Sequence, residues 1–478
     1  MNLVRQTSIY FLANIASAVF GLFNVVLFTR LMGTSDYGVF ILGSGFANIV
    51  GALLYTGLKQ AVLREEAKAD GTDIRATVLL GFFVTAASFP ILCLIGSFVF
   101  GLDGRAILAV LAFALAVGFF ELGQELARAH QRAVRFMWST MLRAILVSLF
   151  GIAVAAAGGG GPALLASSAA AYLVSAALVL RPVWRGTKLK LRDPNLLPLL
   201  TWGLPLTLSI TVLSLSNVMD RFVVAWFLGE GAAGQYGAAV DLVRQALIIP
   251  AVSASSAFVP MAVRILANDG VEATRRHLDD CLELLMAVAL PSCVGFALVA
   301  PHVADLILGP AFRDTAHVVM PIVAVAVIFQ IILHQYLHIS FLLGNRNGFY
   351  IVNTLATLAF NVVAAFILVA GFGQIGAGWS RLAAEAFGVL NAVFLARRAF
   401  AMPVAWARLA RVGAAVAAMA LVVVALDHLG GADGKVMLGV LIVAGGVTYV
   451  VACWGLDVAH MRARTAAFLR RQRPVAAP

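Results

Sequence analysis

Eleven charged residues stand within otherwise apolar stretches of this sequence: Lys59, Arg143, Arg221, Arg244 and Arg381, with the acids Glu121, Glu125, Asp220, Asp241, Glu283 and Glu385. An ionisable side chain at membrane depth is costly, so it faces a partner or a water-filled cavity. A guanidinium offers a planar fork of donors that suits phosphate oxygens two at a time. The chemistry such residues can do is therefore the holding of an anion. Spacing sorts them further. Asp241 and Arg244 are i,i+3, Arg381 and Glu385 are i,i+4, and Glu125 and Arg128 are i,i+3, so each can pair within its own helix. Asp220 and Arg221 are adjacent. Lys59 and Arg143 have no acid within helical reach and are the leading ligand candidates.

Other chemistries find no support. His334 and His338 are i,i+4, a spacing that can bind zinc, but no HExxH glutamate or third ligand accompanies them. The run Gly158–Gly161 is not followed by Gly-Lys-Ser/Thr and reads as a turn, not a phosphate loop. Cys93, Cys281, Cys293 and Cys453 lie in or beside apolar runs without CxxC spacing and read as buried thiols. No Ser/His/Asp order is present, and no acid pair sits in a loop large enough to enclose a substrate. No catalytic residue, metal or cofactor is expected.

The elements that must position these residues follow from composition. The chain is 62% hydrophobic and 12% charged, with mean hydropathy +0.96; a soluble protein carries about 25% charged residues. Apolar windows of about 20 residues, each long enough to span a bilayer, fall near 8–29, 38–63, 76–100, 106–127, 138–157, 162–183, 199–228, 237–265, 280–300, 318–343, 350–370, 376–396, 408–426 and 436–456. The first is too long for a signal-peptide core and reads as a retained helix. The fold class expected is an all-α polytopic membrane protein of about fourteen transmembrane helices, because backbone groups in lipid must be satisfied within each segment. Three helices carry polar stripes at helical spacing: Tyr10, Asn14, Ser17, Gly21 and Asn24; Ser44, Asn48, Tyr55 and Lys59; Thr207, Thr211, Ser214 and Arg221. Helix packing accounts for such stripes, and a cavity lining does so where a stripe ends in a cation.

Loop charges orient the bundle. Of 34 Lys and Arg residues, 26 fall at the termini and in the loops after even-numbered helices, and 5 in the odd loops. The positive-inside rule places the even side and both termini in the cytoplasm. A strong basic balance here is thus a topology signal, and no nucleic-acid partner is expected. On this orientation Lys59 and Arg143 lie on the inner side, Arg221 and Arg244 on the outer.

The chain also repeats itself. Thr7–Gly38 is echoed by Thr201–Gly237, each a long apolar helix followed by a Tyr-Gly pair, with Tyr37 and Tyr236 199 residues apart. Ala129–Gly161 is echoed by Gly344–Gly376 at an offset of about 215. The expected organisation is an N-terminal lobe, 1–183 (helices 1–6); a cytoplasmic linker, 184–198; a C-terminal lobe, 199–398 (helices 7–12); and 399–478, an appended helix pair with a basic cytoplasmic tail. Prolines at 205, 250, 260, 291 and 321 punctuate the second half. Kinked helices in repeated halves fit a transporter that rocks one half against the other.

Fourteen helices in two six-helix lobes plus a terminal pair, with Arg30-Leu31-Met32-Gly33…Asp36-Tyr37-Gly38 after helix 1 and Asp220-Arg221…Leu228-Gly229…Gly234-Gln235-Tyr236-Gly237 after helix 7, resemble the polysaccharide-transport branch of the multidrug/oligosaccharidyl-lipid/polysaccharide exporter superfamily. The nearest type is the Wzx-like O-antigen and exopolysaccharide flippase. The resemblance implies a MATE-like pair of pseudo-symmetric lobes around a cationic cavity. It implies residence in the bacterial inner membrane and the flipping of an undecaprenyl-pyrophosphate-linked oligosaccharide to the periplasmic leaflet in lipopolysaccharide or exopolysaccharide synthesis. Membrane lipids, a coupling proton or cation, and polysaccharide polymerase and export proteins are its implied partners. Lys59, Arg143, Arg221, Arg244 and Arg381 are then the stations for the pyrophosphate, with Asp220 and Asp241 holding the outer arginines when the site is empty. Two other readings compete. A drug or small-molecule antiporter of the same superfamily needs acids to dominate the cavity. A membrane polymerase or glycosyltransferase needs a large catalytic loop.

Overall fold

The computed structural model describes residues 3–67, 73–92, 94, 104–188, 193–255, 258–430 and 434–462. Cys93, Lys68, Lys190, Arg192 and the basic tail from Arg464 onward lie outside the described residues, as do the side chains of Arg5, Tyr10, Asn14, Arg64 and Pro205.

Every regular element among the described residues is helical. In chain order these are α1 (Leu3–Leu31), α2 (Thr34–Ala67), α3 (Arg75–Ala86), α4 (Gly104–Ala129), α5 (Ala133–Ala156) and α6 (Gly161–Trp184, with a π-turn at Ala176–Leu180). They continue with α7 (Leu196–Leu228), α8 (Glu230–Ser255, resumed over 258–269), α9 (271–307), α10 (Pro310–Leu343, with a π-turn at Leu333–Leu337), α11 (348–372), α12 (374–396), α13 (Trp406–Leu429) and α14 (Gly434–Gly455). The run Phe258–Ile307 is broken by Gly270 at φ 84°, and Gly348–Ala396 by Gly373 at φ 62°. Both breaks use backbone that glycine adopts without steric cost. Eleven described helices are long and apolar enough to cross a membrane; adding α1 and α8, and dividing Gly348–Ala396 at Gly373, fourteen rods can be followed among the described residues. This is the all-α polytopic architecture read from the sequence.

The helices extend beyond the apolar windows. α2 begins at Thr34 and α8 at Glu230, so Tyr37-Gly38 and Tyr236-Gly237 lie inside these helices, not in the connections before them. Backbone hydrogen bonding carries a helix past its hydrophobic stretch, and composition does not register that extension.

The chain forms two compact units. The first comprises Met1–Ala238, Leu308–Phe312 and Ala365–Ala377. In it α1 packs on α5, α2 on α4 and α7, and α4 on α6. The α2–α7 contact is close because both helices present glycine: a Cβ on Gly203 would lie 2.4 Å from the Gly57 Cα. Small residues at such crossings let helix backbones approach in lipid, where no hydrophobic drive favours contact. Tyr55, Leu58, Phe82, Phe120, Leu122 and Leu126 fill the space between α2, α3 and α4. At the even-side end, Arg75 donates to both carboxylate oxygens of Asp73, at 2.8 and 2.7 Å, and to the carbonyls of Val183 and Arg185, tying the start of α3 to the end of α6. The guanidinium holds the Asp73 carboxyl below its usual range.

The second unit comprises Ala239–Ile307, Arg313–Ala364 and Gly378–Pro478. Here α13 and α14 pack on each other and both lie against α9. Arg408 of α13 pairs with Asp280 and, at 3.4 Å, with the buried Glu283 of α9. The other oxygen of Glu283 accepts the Ala459 N–H at 2.8 Å. One carboxylate thus fastens both ends of the terminal helix pair.

Candidate functional site

Arg143 projects from α5 and is held by neutral groups only. Its Nη1 donates to the Tyr172 hydroxyl of α6 at 2.8 Å and its Nη2 to Ser17 Oγ of α1 at 2.6 Å. The guanidinium carbon lies 5.1 Å from the centroid of the Tyr172 ring and 6.0 Å from that of Phe120, within cation–π range. No carboxylate among the described residues pairs with it. Ser17 belongs to the α1 stripe, and farther along that stripe Asn24 accepts from Ser148 of α5 at 2.6 Å. The stripe therefore serves both as helix packing and as support for a cation.

Lys59 differs from the expectation that it has no acid partner. Its Nζ lies 2.7 Å from Glu121 Oε2 of α4. Helical spacing along α2 cannot show a partner that arrives from another helix 62 residues later. One turn beyond Glu121, Glu125 Oε1 accepts from Arg128 at 3.0 Å, as the i,i+3 spacing indicates. Glu125 Oε2 is buried and accepts no hydrogen bond from a described residue. One turn before Lys59, Tyr55 is fully buried, its ring pressed on Gly118 of α4, and its hydroxyl has no described partner. α2 and α4 thus bring together two cations, two acids and an unengaged phenol.

Asp220 and Arg221 of α7 are deeply buried, at 0% and 6% exposure. Asp220 Oδ2 accepts from the Tyr236 hydroxyl at 2.7 Å and Oδ1 from the Arg221 N–H at 3.0 Å. Tyr236 was legible as half of a repeated Tyr-Gly pair, but its bond to Asp220 was not. Asp241, Arg244 and Arg381 lie in the second unit. Arg244 is an electrostatic neighbour of His334, and Arg381 is buried at 3% exposure. The His334 and His338 rings stand 4.9 Å apart, and Asn353 reaches His338 Nε2 at 3.2 Å. Among the described residues no three His, Cys, Asp or Glu side chains converge as a metal site.

Five odd-side connections gather around the α1–α2 turn within the first unit. A Cβ on Gly38 would meet the Glu230 carbonyl oxygen at 1.9 Å, and one on Gly234 the Thr34 carbonyl oxygen at 2.3 Å, so the first turns of α2 and α8 cross backbone to backbone. The Gly309 N–H donates to Thr29 Oγ1 at 3.3 Å, and the Gly161 N–H to Asp36 Oδ1 at 3.2 Å. Gln235 Nε2 donates to the Ala311 carbonyl at 2.7 Å, and Gln374 Nε2 to the Ala232 carbonyl at 3.0 Å.

A family described as "Polysaccharide biosynthesis protein" matches residues 27–317, more than half of the chain and all of the first repeat from the end of α1. The chain belongs to this family. A search of curated proteins gives no match. Among solved structures, the chain is similar to the lipid II flippase MurJ in an inward closed conformation, with TM-score 0.79 and 14% identity over 93% of this chain and 98% of that one. It is similar to an inward-facing multidrug resistance MATE family transporter of the MOP superfamily, with TM-score 0.63 and 16% identity over 80% and 95%. A MOP superfamily transporter from Pyrococcus furiosus gives TM-score 0.54 and 17% identity over 82% and 92%. At these identities the likeness is one of fold. The chain is a multi-pass membrane protein whose fold is like that of the MurJ and MATE structures.

Proposed function

We propose that this protein flips an undecaprenyl-pyrophosphate-linked oligosaccharide from the cytoplasmic to the periplasmic leaflet of the bacterial inner membrane by alternating access. The single observation that carries the reading is Arg143, a cation inside a membrane span whose described partners are all neutral. A charge at such depth is maintained against a large desolvation cost, and a visiting anion offsets it. The substrate head group carries roughly two negative charges and cannot cross hydrocarbon bare. Arg143 and Lys59 are the inner stations for it. Arg221, Arg244 and Arg381, with Asp220 and Asp241, are the remaining members of the path. The closely crossed first turns of α2 and α8 support an outer seal that parts when the site turns outward. Both termini are cytoplasmic on this reading.

The test is flipping of a fluorescent undecaprenyl-pyrophosphoryl oligosaccharide in proteoliposomes. Wild type exposes the label to an external quencher. Arg143→Ala does not, at equal incorporation. Wild-type rates from Arg143→Ala overturn the cationic path, and expulsion of a cationic dye in place of the lipid favours the antiporter.

A further inference from the structure

We propose that the inner phosphate station takes up a proton together with the substrate, and that Glu121 and Glu125 are the groups that accept it. This rests on the reading of Lys59 as a phosphate station. With the site empty, Lys59 is engaged by Glu121 at 2.7 Å. The ammonium has three N–H groups and Glu121 takes one of them, so a phosphate that binds Lys59 competes with that carboxylate for the cation. Glu121 is then left one helical turn from Glu125 on the same face of α4, beside the arriving anion.

The charged groups that face this acid pair are Lys59 from α2 and Arg128 from α4 itself. Arg143 from α5 lies over the Phe120 ring, and the titratable phenols nearby are Tyr55 of α2 and Tyr172 of α6. Asp73 and His130 stand at the even-side ends, and Asp73 is already engaged by Arg75. Lys59 and Arg128 balance Glu121 and Glu125 when the site is empty. A doubly charged head group leaves two negative charges in excess, and even Arg143 offsets only one. Water reaches the two acids unequally: the side chains of Lys59 and Glu125 are 22% and 15% exposed, and that of Glu121 is 41% exposed. Like charges crowded at low dielectric favour protonation of one of them. Glu125 Oε2 is buried and accepts no hydrogen bond from a described residue, while Oε1 accepts from Arg128. A proton from the aqueous side therefore adds to the pair as the phosphate binds, forming one O–H bond and removing one negative charge. The proton is released when the phosphate leaves and Glu121 returns to Lys59.

The sign follows from linkage. A complex that holds more protons than its free components tightens as pH falls. The probe is an undecaprenyl-pyrophosphoryl oligosaccharide, whose phosphodiesters do not titrate between about pH 5 and 8, binding to the full-length protein in nanodiscs. Wild-type affinity is expected to rise towards tenfold for each pH unit lowered, by roughly one proton taken up. Calorimetry in buffers of different ionisation enthalpy should report the same proton. Glu121→Gln should bind more tightly than wild type at alkaline pH, and Glu121→Gln/Glu125→Gln should show affinity independent of pH. A pH-independent wild-type affinity, with binding lost in Lys59→Met, overturns this inference and leaves the phosphate station standing. Unchanged binding by Lys59→Met, or none by wild type, overturns both.

Discussion

Gln131 and Asn345 occupy the same place in two copies of one turn. Both take left-handed backbone, at φ 55° and 51°. Around Gln131, the N–H groups of His130, Gln131 and Arg132 donate to the carbonyls of Leu126, Arg128 and Ala127; around Asn345, those of Gly344, Asn345 and Arg346 donate to Ser340, Leu342 and Phe341. Every donor and acceptor is displaced by the same 214 residues. The turn closing α4 and the turn closing α10 are thus one helix-terminating motif used twice. Asparagine tolerates left-handed backbone better than glutamine does. Gln131→Asn is expected to stabilise the protein by roughly 0.5–1 kcal/mol and Asn345→Gln to destabilise it by a similar amount, read from thermal unfolding in detergent.

Arg143 is predicted to act through both its charge and its fork. Arg143→Ala should lower flipping at least tenfold, a loss of about 1.4 kcal/mol or more in transition-state stabilisation. Arg143→Lys should keep part of the rate, since the charge survives and the paired donors do not. Tyr172→Phe removes one hydrogen bond and should cost about 1 kcal/mol. Rates in proteoliposomes at matched protein level decide the order.

Glycine positions separate into crossings and bystanders. Gly38→Val forces atoms into the Glu230 carbonyl and should destabilise by about 3 kcal/mol. Gly51 lies within the same helix with nothing within 4 Å of its hypothetical Cβ, so Gly51→Ala should be neutral or stabilising by up to about 1 kcal/mol. In detergent, Gly38→Val should lower the thermal midpoint and Gly51→Ala should leave it unchanged or raise it.

Glu283 should fasten the terminal helix pair. Glu283→Ala leaves Arg408 with Asp280 alone and the Ala459 N–H without its acceptor, a cost of roughly 2 kcal/mol. Limited proteolysis should then cleave between α12 and α13 sooner than in wild type. A carboxyl-terminal reporter in the same background should still read cytoplasmic, because topology rests on loop charge.

The helix content was legible in the sequence because lipid allows few alternatives. Segments of some twenty apolar residues with no water to satisfy the backbone must be helical, and basic residues collect in alternate loops whatever the packing inside. Recurring turns were legible because turn residues are local: Gly158 and Gly373, both at positive φ, satisfy the same backbone need 215 residues apart. Among the candidate site residues, only partners on the same helix could be foreseen, as with Glu125 and Arg128. Lys59 was read as having no acid because Glu121 lies on another helix, and Tyr172 and Ser17 reach Arg143 from two more. Which face each helix turns to its neighbours depends on side-chain packing, and here it follows from glycine contacts such as Gly57 with Gly203. An acid 62 residues away therefore became the partner of a lysine only when α2 and α4 were laid side by side.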